Sequence, residues 1–389
     1  MTASIPAGDR PGARQFLMRL STSGGGPAAA VTVAAVLVAL ALSGVLIAAT
    51  GFSPPAALHA LIEGSLASPA SLTSTLLYAA PLLLVAAGTC VSTRAGVFNI
   101  GQEGQVLMGA FGGAWFGLRL AIHGPGLLVM VVIGGVLGGG LWAWLSALMY
   151  RFRRVNVVVS TLLMIFLAQQ LVTFAVGESW FLQESSTSAY VNPQSNPLPS
   201  SGLMGSLGHY PGLQLNLGLV IALLATVAVA VALTRTRWGF RIRMLGLNPS
   251  VARHAGVRVA ALRDAALIIS GAAAGLAGAV LLASPVGTNR LDPTMSNNIG
   301  WDGLLVALVA RNRPALCVPV AFLFGVLSAG GDYLSSTGVP SYLVDIIESL
   351  LVLALVVPSV ASGILGRRRR ERLASAGAEQ IQDSVEVAA

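Results

Sequence analysis

Asn99-Ile100-Gly101-Gln102-Glu103-Gly104 returns, 199 positions later, as Asn298-Ile299-Gly300-Trp301-Asp302-Gly303. Each copy sets a carboxylate and two glycines inside an otherwise apolar stretch. An ionisable side chain at membrane depth is costly and marks a candidate functional site. Gly-interrupted, ionisable segments at corresponding places in two halves of a membrane chain point to a solute path.

The rest of the chain reads as membrane. It is 55% hydrophobic and only 10% charged, with a mean hydropathy of +0.78 over 389 residues. A soluble chain carries about 25% charged residues. Several apolar runs reach the ~20 residues a bilayer-spanning helix needs. Ten spans are predicted, at 28–50, 71–91, 97–121, 125–149, 155–177, 213–234, 264–284, 297–310, 315–333 and 342–364. The first run is too long for a signal-peptide core and reads as a retained span. With the N-terminus inside, all of the 23 arginines except Arg119 and Arg290 fall on the inner side. The positive-inside rule then places both termini in the cytoplasm of a multi-pass plasma-membrane protein. The expected organisation is one transmembrane domain at 28–365, with disordered tails at 1–27 and 366–389. The formal charge of +8 follows from this topology and does not imply nucleic acid.

Every basic side chain apart from four histidines is arginine, so the G-x-x-x-x-G-K-[ST] phosphate loop cannot be written in this chain. Cys90 and Cys317 form neither a metal pattern nor a disulfide framework. No catalytic set assembles from the remaining polar residues, so an enzyme is not expected.

The two motif copies lie five spans apart, an odd number. The first precedes an in-to-out helix and the second an out-to-in helix, so the repeat is predicted to be inverted. The span at 297–310 has about twelve apolar residues, roughly 18 Å of helix, too short to cross alone. Broken helices are therefore expected, covered by protein or lining a cavity. The outer loop 178–212 suits either a docking surface or a slack connector. The inner loop 235–263 has internal order. Asn248 suits an N-cap, Pro249 the first helical position and Gly256 the position after the last turn, which predicts a short helix.

That inner loop carries a family resemblance. Thr236-Arg237-Trp238-Gly239-Phe240-Arg241-Ile242-Arg243, followed by Gly246-Leu247-Asn248-Pro249-Ser250-Val251-Ala252-Arg253-His254-Ala255-Gly256-Val257, resembles a stretch of bacterial ABC-transporter permeases. The branch is the one serving nucleosides, simple sugars and branched-chain amino acids. Arg94-Ala95-Gly96-Val97-Phe98 with the first motif copy is similar to a segment of the nucleoside-type permeases. So is Gly300-Trp301-Asp302-Gly303 through Arg311-Asn312-Arg313-Pro314. The likeness runs from about residue 70 to 365. Asn156-Val157-Val158-Val159 departs from it, lacking the acid usual after that asparagine.

The resemblance implies an all-α permease subunit of an importer of a nucleoside or simple sugar. It implies a second permease subunit, two cytoplasmic ATP-binding subunits and an extracytoplasmic solute-binding protein. ATP would be used by the partner, with no cofactor on this chain. It implies ATPase coupling through Gly246, Asn248, Pro249, Ala252, Arg253, His254 and Gly256. The alternative class is an ion-coupled secondary transporter with Glu103 and Asp302 as carriers.

The candidate path residues are Asn99, Gln102, Glu103, Gln105, Asn298, Trp301 and Asp302. Each carboxylate either hydrogen-bonds solute or caps a helix start. The amides divide the same way. Trp301 either stacks on solute or packs against a neighbouring span.

Overall fold

A computed structural model of the chain describes residues 26–354, except 123, 186–192, 208–211, 286, 341 and 348. Most of both predicted tails, and residues 355–364 of the last predicted span, lie outside the described residues.

The architecture is all-helical. The helices are α1 Gly26–Ala49, α2 Pro54–Ser65, α3 Pro69–Arg94, α4 Gln102–Arg119, α5 Pro125–Arg153 and α6 Val157–Gly177. They continue as α7 Leu217–Arg235, α8 Arg237–Leu247, α9 Pro249–His254, α10 Val259–Leu282, α11 Ile299–Val309 and α12 Pro314–Ser336. Residues 342–347 and 349–354 are also helical. Described residues from Ile47 to Ile347 form one compact unit, while the N-terminal part of α1 and residues 349–354 belong to another.

Each of the ten predicted runs contains helix. Among the described residues, six helices, α3, α5, α6, α7, α10 and α12, are long and apolar enough to cross a bilayer, or seven spans if Ala34–Ala49 and Pro54–Ser65 count as one. Helix α4 is less apolar because its first turn carries Gln102, Glu103 and Gln105. It is buried against protein along most of its length. Lipid-facing sides are recognisable where Leu163, Phe166 and Leu167 on α6 and Leu224 and Val227 on α7 are exposed. Apolar groups pointing outward suit a hydrocarbon solvent.

The packing has the crossed pattern of an inverted repeat. Helix α3 packs on α11 and α12, and its counterpart α10 packs on α4 and α5, while α3 and α10 pack on each other. Glycine makes the α10 side of this core close. A Cβ on Gly275 would lie 2.2 Å from the Gly135 carbonyl oxygen and 2.8 Å from the Gly139 Cα. Helices α5 and α10 therefore touch through their backbones, the small-residue contact typical of membrane helices. On the other side, Cys90 of α3 and Cys317 of α12 are buried free thiols with Sγ atoms 3.6 Å apart.

Helix α11 is bracketed by breaks. Asn297 and Asn298 before it have φ of 39° and 64°, and Arg311 and Asn312 after it have 52° and 53°. Left-handed pairs of non-glycine residues persist only where their surroundings hold them. This is the short, broken element expected from the sequence, 11 residues long.

Candidate functional site

The two motif copies meet. Glu103 sits in the first turn of α4 and is 4% exposed. Its Oε1 accepts from the Ser296 hydroxyl and from the Asn298 amide at 3.2 Å, and its Oε2 accepts from the Gly300 amide at 2.7 Å. The carboxylate thus caps α11, the helix of the opposite repeat. Backbone contact makes this reach feasible, because a Cβ on Gly300 would stand 2.3 Å from the Glu103 nitrogen. The expectation of a capped helix start takes a crossed form.

The amides of the first copy form a second closed network. Asn99 Nδ2 donates to Gln105 Oε1 at 2.8 Å and to Ser270 Oγ at 3.0 Å, and Gln105 Nε2 returns a bond to Asn99 Oδ1 at 3.2 Å. Gln102 Nε2 donates to Ser270 Oγ at 3.1 Å, and its Oε1 accepts from Thr89 Oγ1 at 2.9 Å. All three side chains are buried. A polar cluster inside a membrane protein is stable only when its members answer one another in this way. The cluster ties the start of α4 to α3 and α10.

In the second copy, Asn298 is exposed, Asp302 half-buried and Trp301 36% exposed. Neither Trp301 nor Asp302 lines the described cavities.

The largest described polar cavity, about 800 Å³, lies beside these residues. Its wall includes Tyr78, Asn216, Asp292, Asn297, Asp332 and Tyr333. Asn297 and Ile299, which flank the amide that Glu103 holds at Asn298, both line it. Most of these residues are not evident from sequence, since they come from four separate segments with no shared motif. The cavity opens at the start of α3 and the ends of α10 and α12. Arg94, Arg258 and Arg313 mark the opposite ends of those helices.

At this arginine-poor end the loop after α6 is not slack in its described parts. Its Ser195, Leu198 and Met204 amides donate to the carbonyls of Leu291, Asn289 and Ala283 at 2.8–2.9 Å. The Leu291 amide donates back to Ser195 Oγ. Arg290 pairs with Glu184, which also accepts from Gln194. The strap holds the segment that leads into the cavity wall. Arg290 and Gln194 keep the Glu184 carboxyl below the ordinary glutamate range. A carboxylate with a depressed pKa contributes stability above its unfolded pKa, and loses it as pH falls through the folded value. Protease protection of this loop should therefore persist through mildly acidic pH and weaken only below the ordinary glutamate range. Arg290→Gln should move that loss to higher pH, and an unchanged protection profile in the variant would refute the linkage.

At the arginine-rich end, α9 begins as its residues predict. Asn248 Oδ1 accepts from the Ser250 and Val251 amides at 3.0 and 3.2 Å, Pro249 opens the helix, and Gly256 follows it at φ 77°. Arg253 and His254 are exposed, and the His254 ring nitrogen Nδ1 lies 2.8 Å from the Ser250 carbonyl oxygen. Ala252 is fully buried, whereas Val251 and Leu247 are 53% and 82% exposed. Gly246 lies against the end of α3, where a Cβ would stand 2.1 Å from the Arg94 carbonyl oxygen. The 235–263 loop also contains α8, capped by the Thr236 side chain on the Gly239 amide and not evident from sequence.

The chain is similar to several ABC-transporter permease proteins. The glucose ABC transporter permease protein TsgB13 of Haloferax volcanii is 31% identical over 331 residues, covering 82% of this chain and 85% of that protein. The nucleoside ABC transporter permease protein NupB of Lactococcus lactis is 27% identical, covering 87% of this chain and 93% of that one. The guanosine ABC transporter permease protein NupP of Bacillus subtilis is 27% identical, covering 88% and 97%. Residues 71–357 match the family described as branched-chain amino acid transport system / permease component. With its apolar helices, crossed repeat and this match, the chain belongs to that family of ABC-transporter membrane permeases.

Proposed function

We propose that this chain is the membrane subunit of an ATP-driven importer of a nucleoside or simple sugar. It pairs with a second permease subunit, two cytoplasmic ATP-binding subunits and an extracytoplasmic solute-binding protein. It sits in the plasma membrane, with its arginine-rich end and both termini in the cytoplasm. ATP acts on the partner subunits.

The observation that carries this reading is the packed connection from α9 to the cavity. Helix α9 is capped at its start, and Gly246 brings the preceding turn into backbone contact with the end of α3. Helix α3 then runs to Tyr78 in the cavity wall. A push on α9 has a continuous packed path to the site, as a rigid-body switch requires. Glu103, on which an ion-coupled carrier would depend, is enclosed and bonded by Ser296, Asn298 and Gly300.

The exposed Val251 is the probe of the contact, because substitutions at buried Ala252 would disturb the fold itself. Val251→Glu should abolish uptake of labelled uridine, guanosine and ribose in cells, by more than about tenfold, by placing a charge in an apolar contact. The amount of chain in the membrane should stay unchanged, and a co-purifying ATPase should be lost. Continued uptake driven by an ion gradient without nucleotide would overturn the proposal.

A further inference from the structure

We propose that the cavity at the arginine-poor end is where this chain holds its solute, and that it admits uncharged hydroxylated molecules and turns away anions. This rests on the permease reading and adds a place and a charge rule to it.

The wall supplies the right groups in fixed positions. Asp332 accepts from the Tyr78 hydroxyl, and Asp292 Oδ1 accepts from the Thr294 amide and hydroxyl at 2.8 and 2.6 Å. Both carboxylates are thereby oriented before a solute arrives. Asn216 uses its Oδ1 to cap α7 through the Leu219 amide at 3.0 Å, so its amide nitrogen remains to donate. Asn297 lines the cavity from a left-handed turn held by the Glu103 clamp on its neighbours. Tyr78 and Tyr333 bring flat faces that suit a sugar or base. A cavity of about 800 Å³ is of the size that encloses a small organic molecule.

The charge rule follows from what the wall contains. Among the described residues it has two carboxylates and neither arginine nor histidine. Arg290, two positions before Asp292, is engaged by Glu184 and the Ser195 carbonyl. A cleft lined by one sign of charge focuses its field, so a phosphate or carboxylate is repelled and has no cation to meet. Hydroxyl groups, in contrast, can donate to both aspartates.

Thiol labelling of the full-length chain in native membranes tests this. Ser74 and Thr288 line the cavity, and the native Cys90 and Cys317 are buried. Ser74→Cys and Thr288→Cys should react with a cationic, membrane-impermeant methanethiosulfonate about tenfold faster than with an anionic one. Rates are taken relative to the same reagents acting on a small free thiol. Adding Asp292→Asn and Asp332→Asn should remove most of that preference, and excess uridine or ribose should slow labelling. Equal rates with both reagents, or labelling that neither solute slows while the intact transporter takes them up, would overturn the cavity proposal. If uptake of every solute fails but the charge preference stands, the permease reading falls instead.

Discussion

Gly275→Ala is expected to prevent the chain from accumulating as a folded protein. The new methyl would stand 2.2 Å from the Gly135 carbonyl oxygen and 2.8 Å from the Gly139 Cα. Both obstacles are backbone, so no side chain can rotate away. Overpacking a well-filled core costs about 1–3 kcal/mol even where side chains can adjust. Here helices α5 and α10 would have to separate, and the loss should exceed that range. Size-exclusion chromatography of detergent-solubilised chain should show the folded peak gone. Gly177→Ala is the control, because nothing lies within 4 Å of the added carbon there. A Gly275→Ala protein that elutes and melts like the parent would refute the backbone contact.

Glu103→Gln should leave a folded but clearly destabilised chain, for an electrostatic reason. The groups facing the carboxylate are donors: the Ser296 hydroxyl and the Asn298, Gly300 and Trp301 amides. A glutamine has the same shape but presents an NH₂ to at least one of them. Leaving a buried donor without an acceptor costs about 1–3 kcal/mol, and loss of the charge-assisted bonds adds to it. The melting temperature in detergent should fall by several degrees, and the released turn at Asn297 and Asn298 should become a protease site. Ser296→Ala removes a single bond and should cost only about 1 kcal/mol. Equal melting temperatures for Glu103→Gln and the parent would exclude the cross-repeat cap.

What could be read in advance follows from the range of the interactions. Helix α9 was legible because Asn248, Pro249 and Gly256 act within a few residues of each other. The short α11 was legible because span length is a local property. Helix α2 was missed, since its 12 residues include His59 and Glu63 and make no apolar run. Yet Ser53 before Pro54-Pro55 is a recognisable start. Helix α8 escaped because its arginines resemble any solvated inner loop. The motif foretold that a carboxylate would cap a helix, but not that Glu103 would cap the helix that begins 196 residues later. The cavity was illegible in a stronger sense. Asn216, Asp292 and Asp332 acquire a common purpose only once three helix ends converge.

The crossed cap has a consequence for how the chain is made. Glu103 enters the bilayer with α4, but its acceptor oxygens find no partner until Ser296 to Gly300 have been synthesised. At about 5–20 residues per second, that is a wait of roughly 10–40 s. During this interval the first repeat carries an unanswered carboxylate into a medium that does not tolerate one. Helix α4 must therefore stay near water or the insertion machinery until its inverted twin arrives. A ribosome stalled between the two motifs should leave an N-terminal half that is inserted but still open to degradation.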